Sequence, residues 1–412
     1  MLSPFYTLRS RALALLTALL ATAALVSCGG GGGGAPATAS GSGLSSGVIT
    51  GFGSVIVNGV HHDDSKARVF DDDDSEGSRD DLKLGMVVTI SGSPSVGTGT
   101  GTMSTASSIT FASELKGPIS SITRSGTATT GSFVVLGQTV IVGTSTVFEE
   151  SLPGLGALTV TNIVEVHGLL NPATNTLQAT RIELKNKANA YKLRGVVSLL
   201  NTGSKTFNLG SETVTYAGIE PDKLPTLSNG LIVKVKLETT RNAAGQWVAT
   251  KVRVAKFNED KDEAEIEGLI TSPLTASRQF QINGLPVDAS NARFEGFSST
   301  ATLADLTATF KVGTKVEAEG AIVNGVLVAK KVELEGNKAF NGIELNGAIT
   351  SVNAGSNTFV VRGVTVNYAG NPTPVMYKNG SASNIAVGAN VEVKGALASV
   401  GTSVIASTIE FK

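Results

Sequence analysis

Residues 61–81, HHDDSKARVFDDDDSEGSRDD, gather two imidazoles and nine carboxylates into 21 positions. Oxygen ligands at that density suit Ca²⁺, and histidine beside aspartate suits a transition metal. The candidate ligands are His61, His62, Asp63, Asp64, Asp71, Asp72, Asp73, Asp74 and Glu76, with weakly bound Ca²⁺, of about millimolar strength, as the expected ion. Asp72, Asp74, Glu76 and Gly77 echo the start of an EF-hand loop, but Lys83 stands where the bidentate glutamate belongs, and no helical pattern flanks the run. Against the metal reading stands a plainer one, a solvated like-charge loop. Ser-His-Asp catalysis needs an imidazole beside its nucleophile. Only His61, His62 and His167 are available.

Two further residue types bear on binding. Trp247 is the only tryptophan, and a sugar or base could stack on it if it were exposed. Lysine and arginine total 33 against 34 acidic residues, for a net charge of −1. Sequence-independent nucleic-acid binding rests on clustered basic side chains, so no nucleic-acid partner is expected.

The single cysteine, Cys28, ends a different pattern. Arg9 and Arg11 precede an apolar run, residues 12–26, that closes on LVSC. A basic segment, a short apolar stretch and small residues make a secretory signal peptide, and about 15 residues are too few to span a bilayer comfortably. LVSC resembles the lipobox of bacterial lipoproteins, which implies an acylated Cys28 as the mature N-terminus. Gly29 rather than aspartate follows it, and by the same resemblance this favours the outer membrane. Residues 28–46 are rich in Gly, Ser and Ala and read as a flexible tether of roughly 20–25 Å. The expected partners are the membrane, through acyl chains on Cys28, and an envelope protein or glycan.

What must position these groups is a β unit repeated five times. Gly47, Gly117, Gly195, Gly268 and Gly347 head GVIT, GPIS, GVVS, GLIT and GAIT. Each copy later carries a G..V.V.G phrase, with Thr161 and Leu237 replacing a glycine in copies two and three, and closes on alanine, two residues and Ile or Val, at Ala106, Ala179, Ala249, Ala329 and Ala406. Apolar residues alternate with charged ones, as in LIVKVKLE at 231–238, which is the period of a half-buried strand. Five such strands in about 70 residues bury their apolar faces best as a small barrel. The fold expected is therefore all-β, a tandem array of five-stranded OB-like barrels, with small β-sandwiches as the alternative.

The expected divisions are 1–27 signal peptide, 28–46 tether, and repeats at 47–112, 113–186, 187–257, 258–337 and 338–412. The stretch 298–312 in the fourth copy has room for a short helix. Short charged links at 186–192, 258–265 and 336–342 read as solvated linkers, so separate beads along a semi-rigid rod are expected. Alternation places His167 on a solvent-facing slot, where the other copies carry Ser91, Lys236, Glu319 and Lys394, and the recurring Phe133, Phe207, Phe280 and Phe359 in the core.

The five G.[IV][ST] starts, the VEVHG, VEAEG and VEVKG phrases and the GFGSVIVNGV of residues 51–60 resemble the bacterial domain of unknown function 5666. That resemblance implies secreted proteins and lipoproteins with single or tandem copies, and transfers no catalytic residue. The function expected is a non-enzymatic, lipid-anchored structural, display or partner-binding protein of the outer membrane, without a cofactor. The alternative is a cation-dependent enzyme or Ca²⁺-binding protein using the acidic first repeat.

Overall fold

The computed structural model describes residues 41–97, 101–126, 129–298, 300–335, 342–398 and 401–412. The expected signal peptide, Cys28 and most of the expected tether lie outside the described residues.

Repeat 2 shows the common unit. Its strands are Leu115–Ser125, Thr130–Val135, Gln138–Val142, Ile163–Asn171 and Thr176–Lys185. The first three pair antiparallel in order, the third pairs parallel with the fifth, and the fourth bridges the fifth back to the first. This circuit closes the sheet into a five-stranded OB-like barrel and removes its edges. The same circuit closes in repeat 1, repeat 3, repeat 4 and repeat 5. Leu303–Thr309 forms the helix expected between the third and fourth strands of repeat 4, with Thr302 as its N-cap and Asp305 completing a capping box.

The signature residues serve closure. In repeat 4 a Cβ on Gly268 would lie 2.0 Å from Asn283, because the Asn283 side chain crosses this strand from a hairpin turn. Asn283 and Gly284 hold φ of 51° and 82°, the left-handed pair of a two-residue hairpin. Asn283 Oδ1 accepts from Leu269 N at 3.2 Å, and its Nδ2 donates to Glu267 O at 3.1 Å.

The serine or threonine three residues after the unit's glycine bonds across the first hairpin in every copy. Thr50, Ser120, Ser198 and Thr350 donate to partner-strand carbonyls, and Thr271 accepts from Gly284 N. A second register shift recurs where the fourth strand meets the closing alanine. It is a β-bulge that bends the barrel wall. Phe133, Phe207, Phe280 and Phe359 are all buried, as the repeat pattern predicts.

The repeats do not stand apart. The first strand, Gly43–Phe52, pairs in parallel with repeat 4 at Gly43↔Glu263 and with repeat 5 at Gly51↔Glu344. Lys116 of repeat 2 pairs with Lys192 of repeat 3, and Phe148 N donates to Gly401 O at 2.8 Å. One buried cluster runs through repeats 2 and 3, and another through repeats 1 and 5. The expected rod of separate beads is therefore corrected to docked barrels. Residues 43–46, assigned to the tether, are strand, and so are residues 261–265, read as linker. Composition marked these segments as solvated, but their backbones complete sheets, and hydrogen bonding rather than polarity decides where they lie.

Candidate functional site

The acidic run of repeat 1 is spread over several environments. His62 is buried, with Nδ1 3.2 Å from Ser104 Oγ. Burial, aided by the charge of His61, pulls its pKa down to about 4, so it is neutral at physiological pH. His61 is half-buried in the neighbouring pleat and its backbone N–H donates to Thr102 O. Asp63 is exposed and accepts from Ser65 N, which lowers its pKa. Asp64 is buried under a two-pronged bond from Arg79, with both contacts at 2.8 Å, and Glu76 takes the same kind of fork from Arg68. Asp71 holds the loop's own backbone, accepting from Asp73 N and Ser75 N.

Asp72, Asp73 and Asp74 leave repeat 1 altogether. Asp72 meets Lys192 at 2.5 Å and Lys234 at 3.5 Å, Asp73 meets Lys236 at 2.7 Å and Lys251 at 3.5 Å, and Asp74 meets Arg253 at 2.8 Å. All five cations belong to repeat 3. Among the described residues no group of three or more His, Cys, Asp or Glu is arranged to hold a metal ion. The run read as a free acidic loop is a set of anchors: Asp64, Asp72, Asp73, Asp74 and Glu76 meet cations of the same chain, and Asp63 and Asp71 hold the loop's own backbone.

Two other expectations are corrected. His167 is buried rather than solvent-facing, with Nδ1 2.9 Å from Ala112 O. Alternation does place it on the barrel's outside with Glu165, but residues 112–114 cover that side. Trp247 is buried too; its Nε1 donates to Glu212 at 2.9 Å, and the Arg241 guanidinium lies 4.5 Å from the ring. It is a core anchor with a satisfied polar edge, so no stacking platform exists there.

The positions that sequence reasoning missed form a lattice. In each barrel the first, fourth and fifth strands place two residues apiece, in register, on the outer surface. In repeat 3 these six are Lys192, Arg194, Lys234, Lys236, Lys251 and Arg253, all cations. The same six positions in repeat 4 are Glu265, Glu267, Glu317, Glu319, Lys331 and Glu333, five carboxylates and one lysine. Aligning the copies row by row around the central VEV-type phrase would have exposed this inversion.

Each cation of the basic lattice meets a carboxylate. Besides the loop aspartates, Glu114 lies between Arg194 at 2.6 Å and Lys234 at 3.0 Å. Burial by itself would raise the Glu114 carboxyl, but the two cations outweigh it and bring its pKa down to about 2. In the acidic lattice Lys331 binds Glu319 and Glu333, and Lys315 binds Glu267. Glu265 and Glu317 share a hydrogen bond, and burial together with neighbouring carboxylates raises both above the usual range.

This acidic face is one wall of a cavity of about 570 Å³. Repeat 2 supplies Ile141, Thr144 and Thr180 opposite, repeat 1 supplies Asn58, and Glu267 and Glu317 come from repeat 4. That size is typical of a small-molecule site.

Sequence comparison finds a family model that matches three of the five repeats. The model described as Domain of unknown function (DUF5666) matches residues 116–183, 267–333 and 346–410, which fall in repeats 2, 4 and 5. The chain thus carries tandem repeats resembling that domain. No curated protein matches this chain. Among solved structures, Drosophila Unr CSD456 is similar over 55% of this chain and 98% of its own, at 13% identity and a TM-score of 0.14, a score too low to carry an argument.

Proposed function

We propose, taking the tandem domain-of-unknown-function repeats as the premise, that this chain is a lipid-anchored, extracytoplasmic, non-catalytic binding or display protein of the bacterial outer membrane. The observation that carries this reading is what the signature residues do. The recurring Ser and Thr and the hairpin turns knit each barrel shut, and the basic strand face of repeat 3 docks on the acidic loop of repeat 1. Chemistry normally demands one local constellation of nucleophile, base and stabilising donors, whereas here the repeated polar groups have repeated structural tasks. The anchor rests on Arg9, Arg11, the apolar run of residues 12–26 and Cys28. Two acyl-type attachments hold a protein on a membrane stably, where one chain alone does not.

The test is metabolic labelling of the full chain with radioactive palmitate in a Gram-negative host, followed by separation of inner and outer membranes. Label in the outer-membrane fraction that vanishes in Cys28→Ala is the expected result. A wild-type chain that is unlabelled and soluble in the periplasm overturns the anchor.

A further inference from the structure

We infer that the cavity walled by repeats 1, 2 and 4 binds a small organic cation, a compound with one or two primary ammonium groups on a short carbon chain. This goes beyond the anchoring and display role and does not depend on it.

The walls argue for that chemistry. Glu267 and Glu317 sit directly opposite each other on paired strands, so ammonium groups would meet carboxylates on one side only. Glu265, Glu319, Glu333 and Glu335 surround them, with Lys315 and Lys331 as the nearby cations. The walls from repeats 1 and 2 bring hydroxyl, amide and apolar groups and no charged side chain. Val48, Ile141 and Leu169 offer apolar surface for methylenes. The charged lining is Glu267, Glu317 and Glu335 against Lys315, which is bound to Glu267 at 2.7 Å, and an excess of negative charge in a half-enclosed space concentrates the field and draws in the opposite sign.

A comparison within the chain strengthens the case. Where the same lattice is basic, in repeat 3, a counter-charged loop from another repeat covers it; where it is acidic, in repeat 4, the facing wall is neutral. The bulge hydroxyls give a second sign. Ser107, Thr250 and Ser407 donate to carbonyls of their own barrels, but the equivalent Thr180 Oγ1 on the cavity wall is buried and makes no hydrogen bond. A metal ion fits less well, because the carboxylates are distributed along a flat sheet face rather than converging.

Calorimetric titration of the full chain in detergent at low salt, with 1,4-diaminobutane as the probe, tests the inference. Heat of binding is expected for the diamine and none for 1,4-butanediol, which has the same length without charge. Glu267→Gln combined with Glu317→Gln is expected to weaken binding at least about tenfold. Thr144→Trp, which fills the cavity from the opposite wall without altering its charge, is expected to abolish it. Because burial and neighbouring carboxylates raise the Glu317 carboxyl on the cavity wall to about 7, a bound cation should favour its ionised form, and binding near neutral pH should release protons, detected by repeating the titration in buffers of different ionisation enthalpy. Equal diamine affinity in the wild type and the Thr144→Trp protein overturns the inference, as does equal heat from the diol. Should the double glutamine protein fail to fold, the Thr144→Trp result decides. Calcium heat without diamine heat also overturns it, in favour of a metal site.

Discussion

The outer faces of repeats 3 and 4 are built on one backbone register and carry opposite charge. Lys192 corresponds to Glu265, Arg194 to Glu267, Lys234 to Glu317, Lys236 to Glu319 and Arg253 to Glu333. Both barrels close in the same way, so charge at these positions is not part of closing the barrel. It decides what each barrel lies against. The basic face is locked to Asp72, Asp73, Asp74 and Glu114, and the acidic one borders a cavity.

Breaking the lock should have the largest effect. Glu114→Ala leaves the half-buried Arg194 without its carboxylate and Lys234 with only Asp72 at 3.5 Å, and breaking a largely buried pair of this kind costs about 3 kcal/mol. Denaturant unfolding should show that loss. The sign of its pH dependence follows from the lowered pKa: the contribution is fully present above the unfolded value of about 4.5 and disappears as pH falls toward about 2. A stability unchanged between neutral pH and pH values near 2 would mean that Glu114 is not the keystone.

Replacing Asp72 and Asp73 together by Asn should cost less, about 2 kcal/mol, because these side chains keep some solvent contact and charge-assisted bonds there contribute about 1 kcal/mol each. The loss should shrink in high salt, which already screens the wild-type pairs.

The smallest effect has the opposite sign. Glu317→Gln removes a carboxylate whose ionisation is resisted by burial and by Glu335, Glu267 and Glu319. A raised folded-state pKa means that stability is lost as pH climbs above the unfolded value. The glutamine protein should therefore be more stable than the wild type at alkaline pH, by about 1 kcal/mol, and little different at about pH 5. Thermal melts across that range would measure it.

The barrels were legible because their rules are local. Period-two alternation located strands such as Ile232–Arg241, and the recurring glycine, Ser or Thr and alanine marked the turns and bulges. The docking was not legible, since alternation says which side of its own barrel a residue occupies and nothing about what covers that side. His167 is outward and still buried for this reason. Asp72 to Asp74 looked like a solvated run because their lysine and arginine partners lie 120 to 179 residues away along the chain. Trp247 was an ambiguous residue type, settled by Arg241 opposite it across a hairpin and by Glu212, 35 residues away along the chain.

The first strand sets the order in which the molecule can be completed. Gly43 and its neighbours have partners that follow by 220 residues at Asp262, and the same strand reaches repeat 5 at Glu344. During synthesis the N-terminal repeat emerges first, yet its last neighbours emerge at the end. All five repeats close through pairings confined to their own roughly 70 residues, whereas the final arrangement waits for long-range encounters that are slow relative to local ones. Assembly therefore has two stages, rapid formation of individual barrels and a late gathering around residues 43–52. A chain interrupted before repeat 5 leaves Gly51 and Phe52 without their backbone partners Glu344 and Leu345.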